Sequence, residues 1–236
     1  MANIIPEQRL KEIEHNTLIV FSGDNGSSFG PESPIGKAFN QYSNGLRGFK
    51  RGMYEGALRQ AVFARWPGTV PAGRVNDEPW AFWDLLPTFA ELAGVKDKSS
   101  YKTDGLSLVE FLKGGNAPER DYFYWELHES NDVVRAARWG DWKAVMPKIA
   151  APIEIYDLAN DHGEKNDLAK QRPELVAKAK SIFAEAHTPH PVWTIDAPRP
   201  KEYVKINQEA CKLTSERVKA RWVPPNAEPI VDRMKK

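Results

Sequence analysis

Cysteine is nearly absent: Cys211 is the only one in 236 residues. That excludes an intrachain disulfide framework and a cysteine-rich metal centre. An excess of either charge is missing too, since 33 Lys and Arg face 32 Asp and Glu for a formal net charge of +1. Nothing in that balance points to nucleic acid or an anionic membrane as the main partner. No stretch of about 18 apolar residues occurs, and residues 1–9 hold no apolar core of signal-peptide length. As written, the sequence is expected to be neither exported nor membrane-spanning. What is present is 41% hydrophobic and 28% charged, the composition of a globular chain able to bury a core. The length suits one large domain, or a medium domain with a smaller one.

The chain is organised around residues 17–26, Thr-Leu-Ile-Val-Phe-Ser-Gly-Asp-Asn-Gly. Five β-favouring residues predict a strand covered on both faces, as in a parallel sheet of an α/β domain. Ligands of such sheets bind beyond the carboxyl ends of the strands, which is where Asp24 and Asn25 fall. A short helix over 6–14 precedes the strand, and the unit reads as the second half of a βαβ crossover whose first strand is missing. Residues 27–44 are rich in Gly, Pro, Ser and Asn and read as a long surface loop. A second buried strand is expected over 61–66, closed by Pro67-Gly68.

Residues 80–93 carry the strongest helical pattern, with Trp83, Leu86, Phe89, Ala90 and Ala93 on one face and Gly94 as the stop. Pro87 predicts a kink or a late start. A turn at Asp104-Gly105 and a short apolar helix ending at Gly114-Gly115 follow. After Pro118 the texture becomes antiparallel, with short strands over 122–127, 133–138, 142–146 and 153–158 and a hairpin turn at Gly140-Asp141. Residues 173–187 form an amphipathic helix that would cover an aromatic face of this sheet. A second helix is expected around 207–220. The organisation is thus three segments: 1–118, 119–193, and an unassigned Pro- and charge-rich tail, 194–236.

Asp24 and Asn25 offer adjacent hard oxygen donors suited to Ca²⁺ or Mg²⁺, although Asp-Asn-Gly after a strand is also an ordinary turn. Lys50, flanked by Gly48 and Gly52, stands on backbone of low bulk and could approach an oxyanion closely, or belong to a solvated basic loop. In the segment Trp-Glu-Leu-His-Glu at 125–129, His128 and Glu129, with Arg135 nearby, are candidates for reading a sugar or an anionic substrate. Alternation could equally leave them in solvent.

Residues 17–26 together with Leu-Arg-Gly-Phe-Lys at 46–50, Glu-Gly-Ala-Leu-Arg at 55–59 and Arg-Trp-Pro-Gly at 65–68 resemble the second half of a type I sulfatase of the alkaline phosphatase superfamily. The segments at 84–88, 104–108, 138–143 and 156–158 are similar to sulfatase C-terminal halves, so the likeness runs over about 10–193. Ala57 stands where the family usually has glycine, and Gln60-Ala61 where Val-Pro is common. The fold class implied is α/β: a partial alkaline-phosphatase-like sheet with helices, then a small antiparallel four-stranded sheet packed by a C-terminal helix.

The resemblance implies a sulfuric ester hydrolase using Ca²⁺ and a formylglycine nucleophile. Asp24 and Asn25 become metal ligands and Lys50 a sulfate contact. A sulfated small molecule or carbohydrate becomes the substrate. The family's Cys/Ser-x-Pro-x-Arg nucleophile motif does not occur in the sequence, and Cys211 lacks the Pro and Arg. The expectation is therefore a truncated product, inactive alone, or a partner of a separate N-terminal half. Such enzymes are usually periplasmic, secreted or lysosomal, which leaves this chain's compartment unknown. A phosphatase or phosphodiesterase of the same superfamily, or a non-catalytic calcium- or sulfated-sugar-binding module, are the alternatives.

Overall fold

The computed structural model describes residues 11, 13–30, 32–38, 45–97, 102–129, 132–190 and 194–196. The helices expected over 6–14 and 207–220, and Cys211, lie wholly or largely outside the described residues. Strands β1 (Ile19–Ser22) and β2 (Val62–Arg65) form a two-stranded ribbon. They run antiparallel, Ile19 opposite Arg65 and Ser22 opposite Val62, which corrects the expectation of a parallel strand buried on both faces. The period-2 alternation sends Phe21 and Phe63 to one face, where their rings lie 6.3 Å apart and stay 53% and 59% exposed. On the opposite face Val20, Val62 and Ala64 meet Trp80, Leu85 and Leu108 around a small apolar pocket.

Within the expected loop lies a short helix, α1 (Pro34–Ala38). Its start is capped: the Gly36 N–H donates to Ser33 Oγ at 2.9 Å, and Pro34 takes the first helical position, where no N–H is needed. Helix α2 (Glu55–Leu58) follows the basic loop. A 3-10 turn, Phe82–Asp84, leads into α3 (Leu85–Leu92), so Pro87 falls in the first turn of a late-starting helix. Its buried side is Pro87 and Thr88; of the expected face, Trp83 and Ala90 are half-buried, while Leu86 and Phe89 are 49% and 46% exposed and Ala93 is exposed. Asp84, fully buried, fixes this corner by accepting from the N–H groups of Ala81 (2.8 Å) and Leu106 (2.9 Å) and pairing with Arg120. Helix α4 (Val109–Leu112) completes the region.

Strands β3 (Phe123–Glu129), β4 (Asp132–Trp139), β5 (Trp142–Met146) and β6 (Glu154–Asp157) form an antiparallel sheet in sequence order. Gly140 takes φ 56°, as the two-residue hairpin between β4 and β5 requires. Helix α5 (Pro173–Ala186) lays Leu175, Ala179, Ile182 and Phe183 against Ala137, Trp139, Ala144, Met146 and Ile155. The other face, with Ala136, Val145 and Tyr156, packs on Met53, Tyr54 and Leu58. The sheet is therefore a shared wall between α5 and the segment that carries Lys50. No helix among the described residues is long and apolar enough to cross a membrane.

Candidate functional site

Asp24 and Asn25 sit in the bend directly after β1, Asp24 exposed and Asn25 half-buried. The bend is pinned at its end, where the Gly26 N–H donates to the Ala57 carbonyl at 2.8 Å. A Cβ on Gly26 would stand 2.0 Å from the Gly56 carbonyl oxygen, so only glycine permits this approach. One residue on, the Ser27 carbonyl accepts the Lys50 N–H at 2.8 Å. Lys50 itself lies in a turn closed by Gly52 N–H to Phe49 O at 3.0 Å, with Arg51 at φ 76°. That left-handed conformation costs a non-glycine residue about 1–2 kcal/mol. The structure thus brings the Asp24-Asn25 bend and the Lys50 turn side by side through backbone hydrogen bonds.

Behind this pair lies a polar network that the sequence motifs did not single out. Arg47 donates to the Tyr156 hydroxyl (2.7 Å), the Glu164 carbonyl (2.9 Å) and the Tyr54 hydroxyl (3.1 Å), and its guanidinium lies 3.8 Å from the Tyr54 ring centre. Both phenols donate to Glu154 Oε2 at 2.7 Å. Burial, and then the hydrogen bond to Glu154, push both hydroxyls above the ordinary tyrosine range.

Lys143, fully buried, reaches Glu55 Oε1 at 2.7 Å and lies 3.2 Å from Glu164 Oε1, while Glu164 Oε2 accepts the Glu55 N–H at 2.7 Å. Burial raises the Glu164 carboxyl, with Lys143 opposing. Burial also works against Glu55, but there Lys143 and Arg138 outweigh it and hold the carboxyl below its ordinary value. The available signal was position: Glu55 opens the 55–59 motif, and Lys143 ends the 138–143 motif.

His128 and Arg135 are brought together elsewhere. Alternation places Tyr124, Glu126, His128 and Arg135 on the α5 side of the sheet, opposite the face that packs on Met53 and Tyr54. His128 Nε2 lies 2.7 Å from Glu126 Oε1, and His187 Nδ1 lies 2.8 Å from Glu126 Oε2. Burial pushes Glu126 upward, but hydrogen bonds from Tyr124, His128 and His187 prevail and its carboxyl sits below the ordinary value. Glu129 ends β3 opposite Asp132.

As to metal, no group of three or more His, Cys, Asp or Glu side chains suited to holding an ion occurs among the described residues. Asp24 and Asn25 fit Ca²⁺ in kind, being adjacent oxygen donors on a pinned bend. They account for two of the six to eight oxygens that the ion takes.

A basic turn thus lies beside an Asp-Asn bend and is joined to a four-stranded antiparallel sheet under one helix. The family model described as N-sulphoglucosamine sulphohydrolase, C-terminal, matches residues 47–186. The chain belongs to that family. It is 33% identical over 132 residues to N-acetylgalactosamine-6-sulfatase of Canis lupus familiaris, covering 56% of this chain and 24% of that protein. With steryl-sulfatase of Mus musculus it shares 28% identity over 208 residues, 74% of this chain and 33% of the relative. The chain therefore spans a quarter to a third of the length of these curated relatives. Among solved structures, Ps i-CgsB in complex with k-i-k-neocarrahexaose aligns with a TM-score of 0.65 and 30% identity, over 86% of this chain and 44% of that one.

Proposed function

We propose that the chain is part of a sulfuric ester hydrolase acting on sulfated carbohydrates, with Lys50 donating to a sulfate oxygen and Asp24 and Asn25 supplying part of a Ca²⁺ site. The observation that carries this reading is the backbone link from Ser27 to Lys50, which holds the candidate ligands and the candidate sulfate contact next to one another. A fixed ammonium at that place would offset negative charge that develops on sulfate oxygens during ester cleavage. Bound Ca²⁺ would add Lewis-acid stabilisation of the same charge. On this reading residues 1–118 contribute to the catalytic domain and 119–193 form its C-terminal subdomain. The choice of a sugar sulfate follows two relatives, one named for N-acetylgalactosamine 6-sulfate and one solved with a neocarrahexaose.

Hydrolysis also needs an activated nucleophile. The 236 residues contain no Cys/Ser-x-Pro-x-Arg stretch, so the proposal assigns the formylglycine to residues outside this sequence and expects no turnover by these residues alone. The test is calorimetry with N-acetylgalactosamine 6-sulfate and with the unsulfated sugar, with and without Ca²⁺, beside an assay for 4-nitrophenyl sulfate cleavage. The sulfated sugar should bind more tightly, and Lys50→Met should remove about tenfold or more of that preference. Equal binding of the two sugars would remove Lys50 from the site, and 4-nitrophenyl sulfate turnover by the chain alone would overturn the assignment of the nucleophile.

A further inference from the structure

Between α5, β4 and the loop after β5 opens a cleft of about 660 Å³, within the size range of small-molecule sites. It lies on the α5 side of the sheet, away from the Lys50 turn, so the sulfate-contacting role discussed above does not use it. Most of its wall is apolar, with Met146 and Phe183 at its centre. Its charged lining consists of Arg135, Lys170 and Lys180, and no carboxylate side chain lines it.

Arg135 is the informative residue. Its guanidinium lies 4.9 Å from the Phe183 ring centre, its Nη2 donates to the weak acceptor Met146 Sδ at 3.2 Å, the Tyr124 hydroxyl is a further hydrogen-bond partner, and its Nε is buried without one. A buried charged donor without an acceptor is costly. The carboxylate opposite it in the ladder, Glu126, is already engaged by Tyr124, His128 and His187. The cleft thus combines an apolar wall with surplus positive charge and a guanidinium that is only partly satisfied.

We propose that this cleft binds an amphiphilic monoanion: a compact apolar body on Met146 and Phe183, carrying one sulfate, sulfonate or carboxylate head taken by Arg135, Lys170 and Lys180. The head supplies a strong acceptor to a guanidinium paired with a thioether and a phenol, and its charge complements a lining that holds cations and no carboxylate. The body accounts for the apolar wall, which a fully hydroxylated sugar would leave unused.

Calorimetry on the full chain with naphthalene-2-sulfonate, 2-naphthoate, neutral 2-naphthol, inorganic sulfate and glucosamine 6-sulfate tests this. The two naphthyl anions should bind at least about tenfold more tightly than 2-naphthol, and more tightly than inorganic sulfate or the sugar sulfate. Arg135→Met should abolish that preference for the anion. If that variant does not fold, the exposed pair Lys170→Gln and Lys180→Gln should reduce it severalfold, because their side chains leave the core untouched. Lys50→Met should leave the binding of the two naphthyl anions unchanged. Equal affinity for 2-naphthol overturns the proposal, as does tighter binding of the sugar sulfate that survives Lys50→Met, or naphthyl-anion binding lost in Lys50→Met but kept in the cleft variants.

Discussion

Lys143 carries the largest electrostatic risk in the molecule. Its ammonium is wholly buried between Glu55 and Glu164, with Arg138 3.8 Å from Glu55, so two cations face two carboxylates and the group is neutral. Pairing repays the desolvation only while every member is in place. Lys143→Met removes one cation and leaves two buried carboxylates facing each other. The expected loss is about 3–5 kcal/mol in urea unfolding, and adding Glu55→Gln and Glu164→Gln should recover a good part of it. A loss below about 1 kcal/mol would mean that water enters the network when the ammonium goes.

The elements divide by how local their causes are. β5 and the start of α5 were legible to the residue. β5 begins directly after a Gly-Asp turn whose conformation glycine permits, and α5 begins at Pro173. The reasons lie within a few residues. α1 was missed although Ser33-Pro34 spells out a cap and a first helical position. The ribbon of β1 and β2 was misjudged for a different reason. An apolar run states that a strand forms, but its partner's direction is set by chain elsewhere, and so is the exposure of Phe21 and Phe63. Of the site, the Asp24-Asn25 bend and Lys50 were legible as motifs. Their contact depends on the fit of Gly26 under Gly56, and the sheet face taken by His128 and Arg135 depends on register, neither of which a motif records.

At this same scale Glu126 ties β3 to the end of α5. Its folded carboxyl sits below the ordinary 4.5, so its contribution is complete above that value and fades as pH falls through the lowered one. Glu126→Gln should therefore cost stability at about pH 6.5, and the gap to the parent chain should close toward about pH 3. Denaturation midpoints of both proteins across that range give the answer, and a gap that widens on acidification would contradict it.

For the whole molecule, the central sheet is the common support of two unlike surfaces. One face holds α5 and the cationic cleft; the other holds the Arg47 network and, through it, the Lys50 turn. The two surfaces are separated by the sheet layer itself, with Ala137 and Ala144 buried on its α5 side and Ala136 and Val145 buried on the other, each 0% exposed. Such a layer has no room to repack, so ligand binding on one face should leave the other unchanged unless the sheet itself moves.

The pinned bend has a consequence in solvent hydrogen exchange. The amides of Gly26, Lys50 and Gly56 donate to the carbonyls of Ala57, Ser27 and Arg47, and that of Glu55 to the buried Glu164 carboxylate. Though these residues lie in loops or a single helical turn, they belong to the cooperative unit of the sheet rather than to the frayed periphery. Their deuterium uptake should be slow, within about tenfold of the Val145 amide, whereas Val75, 89% exposed, should exchange almost at once. Fast uptake at Lys50 would mean that the proposed sulfate contact must be ordered by its ligand; slow uptake would mean that it stands in place beforehand.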